Sequence, residues 1–334
     1  MKHRYVTSAA CLVALFLAFQ VAAEAQTKPT AKTWAAPKTP WGDPDLQGTW
    51  TSDDCIGTPM NRPANLGEKL YLTEEEIAQR ESQLARQAQT DRQDTVTAGQ
   101  RVGTGPPGHW GERARRPCRQ TSLVVEPKTG RAPDFLPEAR ARRTGAFEPP
   151  QPATWEDFTF YIRCISRGVT GSVFPVIYGN GQQIVQAPGF VTIMQEMVHE
   201  ARVIPLDRRP HTGPGVRSYM GDARGRWEGN TLVVETTNFI GNTTGVGANG
   251  QGTPTSDALT LVERYTRVSP SEIQYEVTIN DPKTYTAPFK VAFPLTQEPG
   301  YQNFEYACHE GNHAMFNSLS GARALEAEAA KTTK

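Results

Sequence analysis

The sequence predicts a mainly β protein, an antiparallel meander of short strands closing into a barrel, with a helical and irregular insertion in its N-terminal half. Three observations predict it. First, seven runs rich in β-branched and aromatic residues succeed one another at 182–187, 190–198, 201–206, 231–239, 259–268, 273–279 and 289–295, each bounded by Gly, Pro, Asn or Asp. Second, no helical pattern separates them, whereas a parallel step would need a crossover of roughly a dozen residues. Third, 29 glycines and 26 prolines in 334 residues favour many short elements over long helices. Barrel closure is expected because it removes the exposed edges of so long a meander.

The chain opens with Lys2 and Arg4, an apolar run over 6–23 and the small-x-small triplet Ala23-Glu24-Ala25. This is the pattern of a signal peptide, 1–25, and predicts a periplasmic or extracellular protein. No later run reaches the ~20 apolar residues of a membrane span, so no membrane insertion is expected after cleavage. Residues 26–43, rich in Thr, Pro, Ala and Lys, read as a disordered lead-in. A single β-rich domain is expected over 44–320, with the insertion at about 70–117 and a disordered tail at 321–334. Gly48-Thr49-Trp50 places a Gly-x-Trp at the mouth of the first strand, a feature of lipocalin-like (calycin-type) barrels, where the Trp plugs one end.

A helix is expected from 72 to about 91: Thr73 and Glu76 form a capping box, and Glu74 to Glu76 suit the positive end of the helix dipole. Its apolar stripe is thin, so it should lie on the surface of something else. Residues 92–117 read as irregular, 121–126 as a strand, 137–143 as a helical turn, and Trp155, Phe158, Phe160 and Tyr161 as core rings. In 272–280, Ile273, Tyr275, Val277 and Ile279 fall on one face and Gln274, Glu276 and Thr278 on the other. The Gly-rich loop 239–256 reads as too flexible for core, an inert connection or a mobile cover.

Lys plus Arg and Asp plus Glu number 35 each, so no nucleic-acid partner is expected. The basic run Arg113, Arg115, Arg116, Arg119, Arg140, Arg142 and Arg143 reads as a solvated face. Apart from Cys11 in the leader, Cys55, Cys118, Cys164 and Cys308 allow three pairings, among which the sequence alone does not choose. None is spaced Cys-x-x-Cys, so structural disulfides are the default. The pairing carried forward is Cys164 with Cys308 and Cys55 with Cys118.

Candidate chemistry gathers in 188–207, which reads as a strand, a tight turn and a second strand carrying Glu196, His199, Glu200, Arg202 and Asp207. His199 beside Glu196 or Asp222 would suit acid–base work, because a carboxylate orients the ring. Glu196 and His199 fall on opposite faces of a regular strand, so both serve one pocket only if a turn or bulge intervenes. Arg202 and Arg167 offer bidentate grips on an anion, and Trp227 lies in the polar stretch 220–230. His309-Glu310-Gly311-Asn312-His313 spells H-E-x-x-H, a zinc pattern that requires a helix. Gly311 and Asn312 disfavour one, and 306–308 read as the end of a strand. The catalytic candidates are therefore His199, His309, Glu310, Asp222 and Glu196, with Arg202, Arg167, Trp227, Tyr306 and Asn312 for ligand binding. No cofactor is expected; the alternative is zinc or another divalent metal on His309, His313 and His199. No Gly-x-Ser-x-Gly, Walker or Rossmann pattern occurs.

Several phrases together resemble a large family of secreted bacterial proteins: Pro44-Asp45-Leu46-Gln47-Gly48-Thr49-Trp50, His199-Glu200-Ala201-Arg202-Val203-Ile204-Pro205-Leu206-Asp207, Met220-Gly221-Asp222 with 226–239, and 305–312. The likeness spans most of the chain after the leader and implies no particular activity. In that family Tyr often stands where this chain has His313, which weakens a zinc chemistry built on it. The expectation is an exported protein that binds a small organic molecule in a β-barrel cavity, with acid–base transformation of that molecule as a further possibility. A metal-dependent hydrolase at His309 and Glu310 and a non-catalytic envelope or interaction protein are the alternatives.

Overall fold

The computed structural model describes residues 34–93, 114–142, 145–146, 149–298 and 300–332. The expected signal peptide, residues 26–33 of the expected lead-in, residues 94–113 of the expected insertion and residues 333–334 of the expected tail lie outside the described residues. Contacts divide the chain after Ala35, and everything below concerns the second unit, Ala36–Lys334.

That unit is mainly β, with ten strands in two antiparallel sheets among the described residues. The four-stranded sheet is built from β1 (Gly48–Trp50), β3 (Gln182–Ala187), β4 (Phe190–Gln195) and β5 (Ala201–Pro205), in the order β1-β3-β4-β5. The six-stranded sheet contains β2 (Val124–Glu126), β6 (Asp222–Glu228), β7 (Thr231–Thr237), β8 (Thr260–Ser269), β9 (Glu272–Asn280) and β10 (Phe289–Thr296), in the order β2-β10-β9-β8-β7-β6. All seven strands expected in the second half are present. β6 is an addition, lying where the sequence showed only a polar stretch.

The ladders make two open sheets instead of one closed barrel. At one corner the sheets are joined: Thr51 and Thr296 exchange two backbone hydrogen bonds of 2.8 Å. At the other, β5 meets β6 through side chains. A Cβ on Gly225 would lie 2.8 Å from Ile204 and 2.6 Å from Leu206, so these side chains occupy the space over β6 and only Gly fits beneath them. No β5–β6 ladder forms among the described residues.

The core lies on the inner faces. Ile273, Tyr275, Val277 and Ile279 are all buried, as their parity predicts. Trp50 is fully buried, its Nε1–H donating to Leu46 O at 2.9 Å and the Arg267 guanidinium lying 5.3 Å from its ring.

Helix α1 (Glu74–Gln93) begins as expected: Glu76 N–H donates to Thr73 Oγ1 at 3.3 Å and Thr73 N–H to Glu76 Oε2 at 2.7 Å. Short α2 (Pro137–Arg140) and α3 (Gly168–Val173) follow. The Gly-rich loop is not free, since Thr243, Thr255 and Ser256 are buried and Asn249 Oδ1 accepts from Arg167 beside α3. The expected tail is instead the end of α4 (His313–Thr332), whose Ala, Leu, Glu and Lys residues are strong helix formers. Residues 37–43 likewise have fixed contacts, with Thr39 N–H donating to Asp43 O at 2.8 Å.

The disulfides are Cys55–Cys118 and Cys164–Cys308, bonds that persist in an oxidising compartment such as the periplasm or cell exterior. Among the described residues no helix is long and apolar enough to cross a membrane.

Candidate functional site

β4 ends at Gln195 and the chain turns through Met197–His199, where Val198 (φ 63°) and His199 (φ 56°) adopt the left-handed conformation. That conformation is costly for a β-branched residue. The turn removes the parity conflict, because Glu196 and His199 no longer sit on alternate faces of one strand. Both hold the segment 301–306, a strap without regular secondary structure. Tyr301 Oη–H and Gly181 N–H (3.2 Å) donate to Glu196 Oε2, and Phe304 N–H donates to Oε1 at 3.4 Å. Tyr306 N–H donates to His199 Nε2 at 2.8 Å, which leaves Nδ1 to carry the proton of the neutral ring.

The strap ends at Cys308, bonded to Cys164. Asn312 Nδ2 donates to Ile162 O at 2.7 Å beside that disulfide. Tyr161 and Tyr178 hydroxyls lie 3.0 Å apart, and the Tyr306 hydroxyl bonds with both. Burial, followed by the neighbouring phenols, raises the pKa values of Tyr161 and Tyr306, keeping them as neutral donors. Arg167 is fully buried, its guanidinium 5.4 Å from the Tyr161 ring and its Nη1 donating to Gly179 O at 3.2 Å. Burial also pushes the Glu200 carboxyl up, opposed by the Ser166 hydroxyl that donates to it at 2.8 Å.

Thus Glu196, His199, Tyr306, Arg167 and Asn312 share one end of the molecule. The other candidates do not join them. Asp222 binds a different histidine: His211 Nδ1 lies 3.1 Å from Asp222 Oδ2, with His211 Nε2 3.4 Å from Glu235 Oε1. Arg202 is a core group, paired with Glu263. Trp227, toward the far end of β6, packs its ring on the core. His309, Glu310 and His313 are exposed, and α4 begins only at His313, so the zinc spelling lacks the helix that would align its two imidazoles. Residues 306–308 are a loop, not a strand end. Among the described residues no group of three or more His, Cys, Asp or Glu side chains is placed to hold a metal ion.

Three amides complete this end of the molecule. Gln182 and Gln195 are directly opposite on β3 and β4, 0% and 1% exposed, and neither side-chain amide has a hydrogen-bond partner among the described residues. The amide of Asn303, on the strap, is also buried and unpartnered. Its Oδ1 lies 2.6 Å from where a Cβ on Gly181 would stand, so Gly181 lets the strap approach the residue next to Gln182. Sequence reasoning missed all three. For Gln182 the signal was parity, since it shares a strand face with buried Ile184.

No protein-family model, curated protein or solved structure matches the chain.

Proposed function

We propose that this is an exported protein, of a piece with the secreted bacterial family it resembles, that binds a small polar organic molecule between its two sheets. The sheets act as the walls of a lipocalin-like container, and the 301–306 strap covers one end. The observation that carries this reading is the set of orphaned amides on Gln182, Gln195 and Asn303. Each buried polar group without a partner costs roughly 1–3 kcal/mol. Six such atoms together approach the entire stability of a domain, about 5–15 kcal/mol, so an occupant with both donors and acceptors is called for. The join at Thr51 and Thr296 and the packing of Ile204 on Gly225 support the container. Glu196 and His199 hold the strap, which favours binding over acid–base turnover at this end.

The test uses thermal shift with benzamide, benzoate and toluene as probes of amide, acid and apolar ligands, alongside mass spectrometry of whatever denaturation releases. Benzamide should raise the melting temperature, and Gln182→Leu with Gln195→Leu should abolish the effect. No shift with any probe and no stoichiometric organic molecule released would mean that water alone fills the site, and the reading would be wrong.

A further inference from the structure

A second feature lies on the outer face of the six-stranded sheet. There β10 presents Ala292, Pro294 and Thr296 directly opposite Glu276, Gln274 and Glu272 of β9. Small residues facing long ones leave a trough, closed on its far side by Ile77 and Glu81 of α1 and by residues 116–120. Its volume is about 640 Å³, within the range of small-molecule sites.

The charges around it do not cancel locally. Arg116 is held by Asp54 at 3.1 Å, Arg119 by Glu74, and Glu126 by Lys290 at 2.8 Å. Arg264, the cross-strand neighbour of Glu276, is taken by Glu228 at 2.9 Å. Among the described residues no ion pair engages Glu81, Glu272 or Glu276. An independent observation lies at the same place. Thr296 is 1% exposed, shares the face of Glu272, lines the trough, and its Oγ1 has no hydrogen-bond partner. Ala292 and Pro294 of the floor beside it and Ile77 across from them are apolar.

We propose that this trough binds a small organic cation, a primary ammonium group on an apolar stem. An ammonium has three donors and no acceptor, which matches the Glu272 carboxylate and the Thr296 hydroxyl directly opposite it, while Glu276, further along the same face, adds its charge to the trough. The stem lies on Ala292, Pro294 and Ile77. Unbalanced carboxylates over low-dielectric walls also raise the local concentration of cations.

Isothermal titration of the full chain with benzylammonium chloride, benzyl alcohol and sodium benzoate separates charge from shape. Benzylammonium should bind at one site and weaken as ionic strength rises, while the alcohol binds at least about tenfold more weakly and benzoate shows no heat. The pair Glu272→Gln with Glu276→Gln should weaken benzylammonium about tenfold or more, and Thr296→Val should weaken it with both acids intact. Benzylammonium binding no tighter than benzyl alcohol overturns the proposal, whatever the variants do. So does unchanged affinity in the folded double variant.

Discussion

Glu263→Gln strikes a charge that is fully enclosed. Arg202 and Glu263 side chains are 2% and 0% exposed, and the guanidinium grips the carboxylate twice, Nη1 to Oε2 at 2.6 Å and Nη2 to Oε1 at 3.0 Å. Tyr265 and Tyr275 hydroxyls donate to the same Oε1 at 2.8 and 3.1 Å. Burial, then the Glu263 charge, holds both phenols protonated, so they remain donors. Glutamine keeps the shape but places an NH₂ where an acceptor is needed, turning one guanidinium bond into a donor–donor contact. It also leaves Arg202 without a counter-charge in the core. Breaking a buried pair from one side costs about 3–5 kcal/mol. At about 2–4 °C per kcal/mol for a chain of this size, the melting temperature should fall by about 6–20 °C. Urea unfolding of the oxidised protein should show a lower midpoint with the slope unchanged. Arg202→Met with Glu263→Leu removes both charges, an exchange for apolar side chains that is neutral or stabilising by about 1–4 kcal/mol and offsets much of the cost of the acceptor lost by the two phenols. That variant should fall between wild type and Glu263→Gln. A Glu263→Gln protein within about 1 kcal/mol of wild type, or a double variant less stable than the single one, would refute the reasoning.

Replacing Cys164 and Cys308 together by Ser should cost about 2–4 kcal/mol in urea unfolding, because the bond closes a span of 144 residues. It should also speed chymotrypsin cleavage at Tyr301, Phe304 and Tyr306, which the bond helps to hold down. Burial works to raise the Asp222 pKa, but the Thr212 amide, Arg224 and His211 outweigh it and the net shift is downward from 3.8. A lowered folded-state pKa gives stability that is present above 3.8 and is lost as pH falls through and below it. Asp222→Asn should therefore flatten the acid limb of a plot of stability against pH, and an unchanged limb would assign it to other carboxylates.

How much of this was legible in the sequence depended on whether the signal was local. The inner face of β9 followed from simple alternation, because one side of the strand is fully buried and the other is only half-buried. The α1 capping box is likewise complete within four residues. β6 escaped because two of its three inward residues, Ala223 and Gly225, are small and its outward ones are charged, leaving Trp227 alone as an apolar signal; register with β7, Gly225 opposite Val234, makes it a strand. Glu263 was readable in principle, as an acid between Leu261 and Tyr265 on an otherwise buried face. That Arg202 answers it from another sheet was not readable, since nothing across a sequence separation of 61 fixes the distance. H-E-x-x-H misled for the converse reason: its letters are local, but the helix they require starts only at His313, four residues after His309.

Glu196 and His199 offer the best check on where a ligand belongs. Val198 and His199 adopt backbone conformations that cost an L-residue about 1–2 kcal/mol each, and such strain persists only where the surroundings over-determine it. Here they do: Glu196 holds Tyr301 before the strained pair, His199 holds Tyr306 after it, and the Cys164–Cys308 bond anchors the end of the strap. Strain, a covalent latch and three orphaned amides thus coincide around Gly181. The Asp222–His211–Glu235 group has none of these features; its polar atoms satisfy one another and its backbone is unstrained strand and loop. Interactions that only stabilise a fold have no reason to gather costs of different physical origin in one place. That argues for the proposed occupant under the strap, and against an acid–base centre at Asp222, despite the more familiar look of a carboxylate beside a histidine.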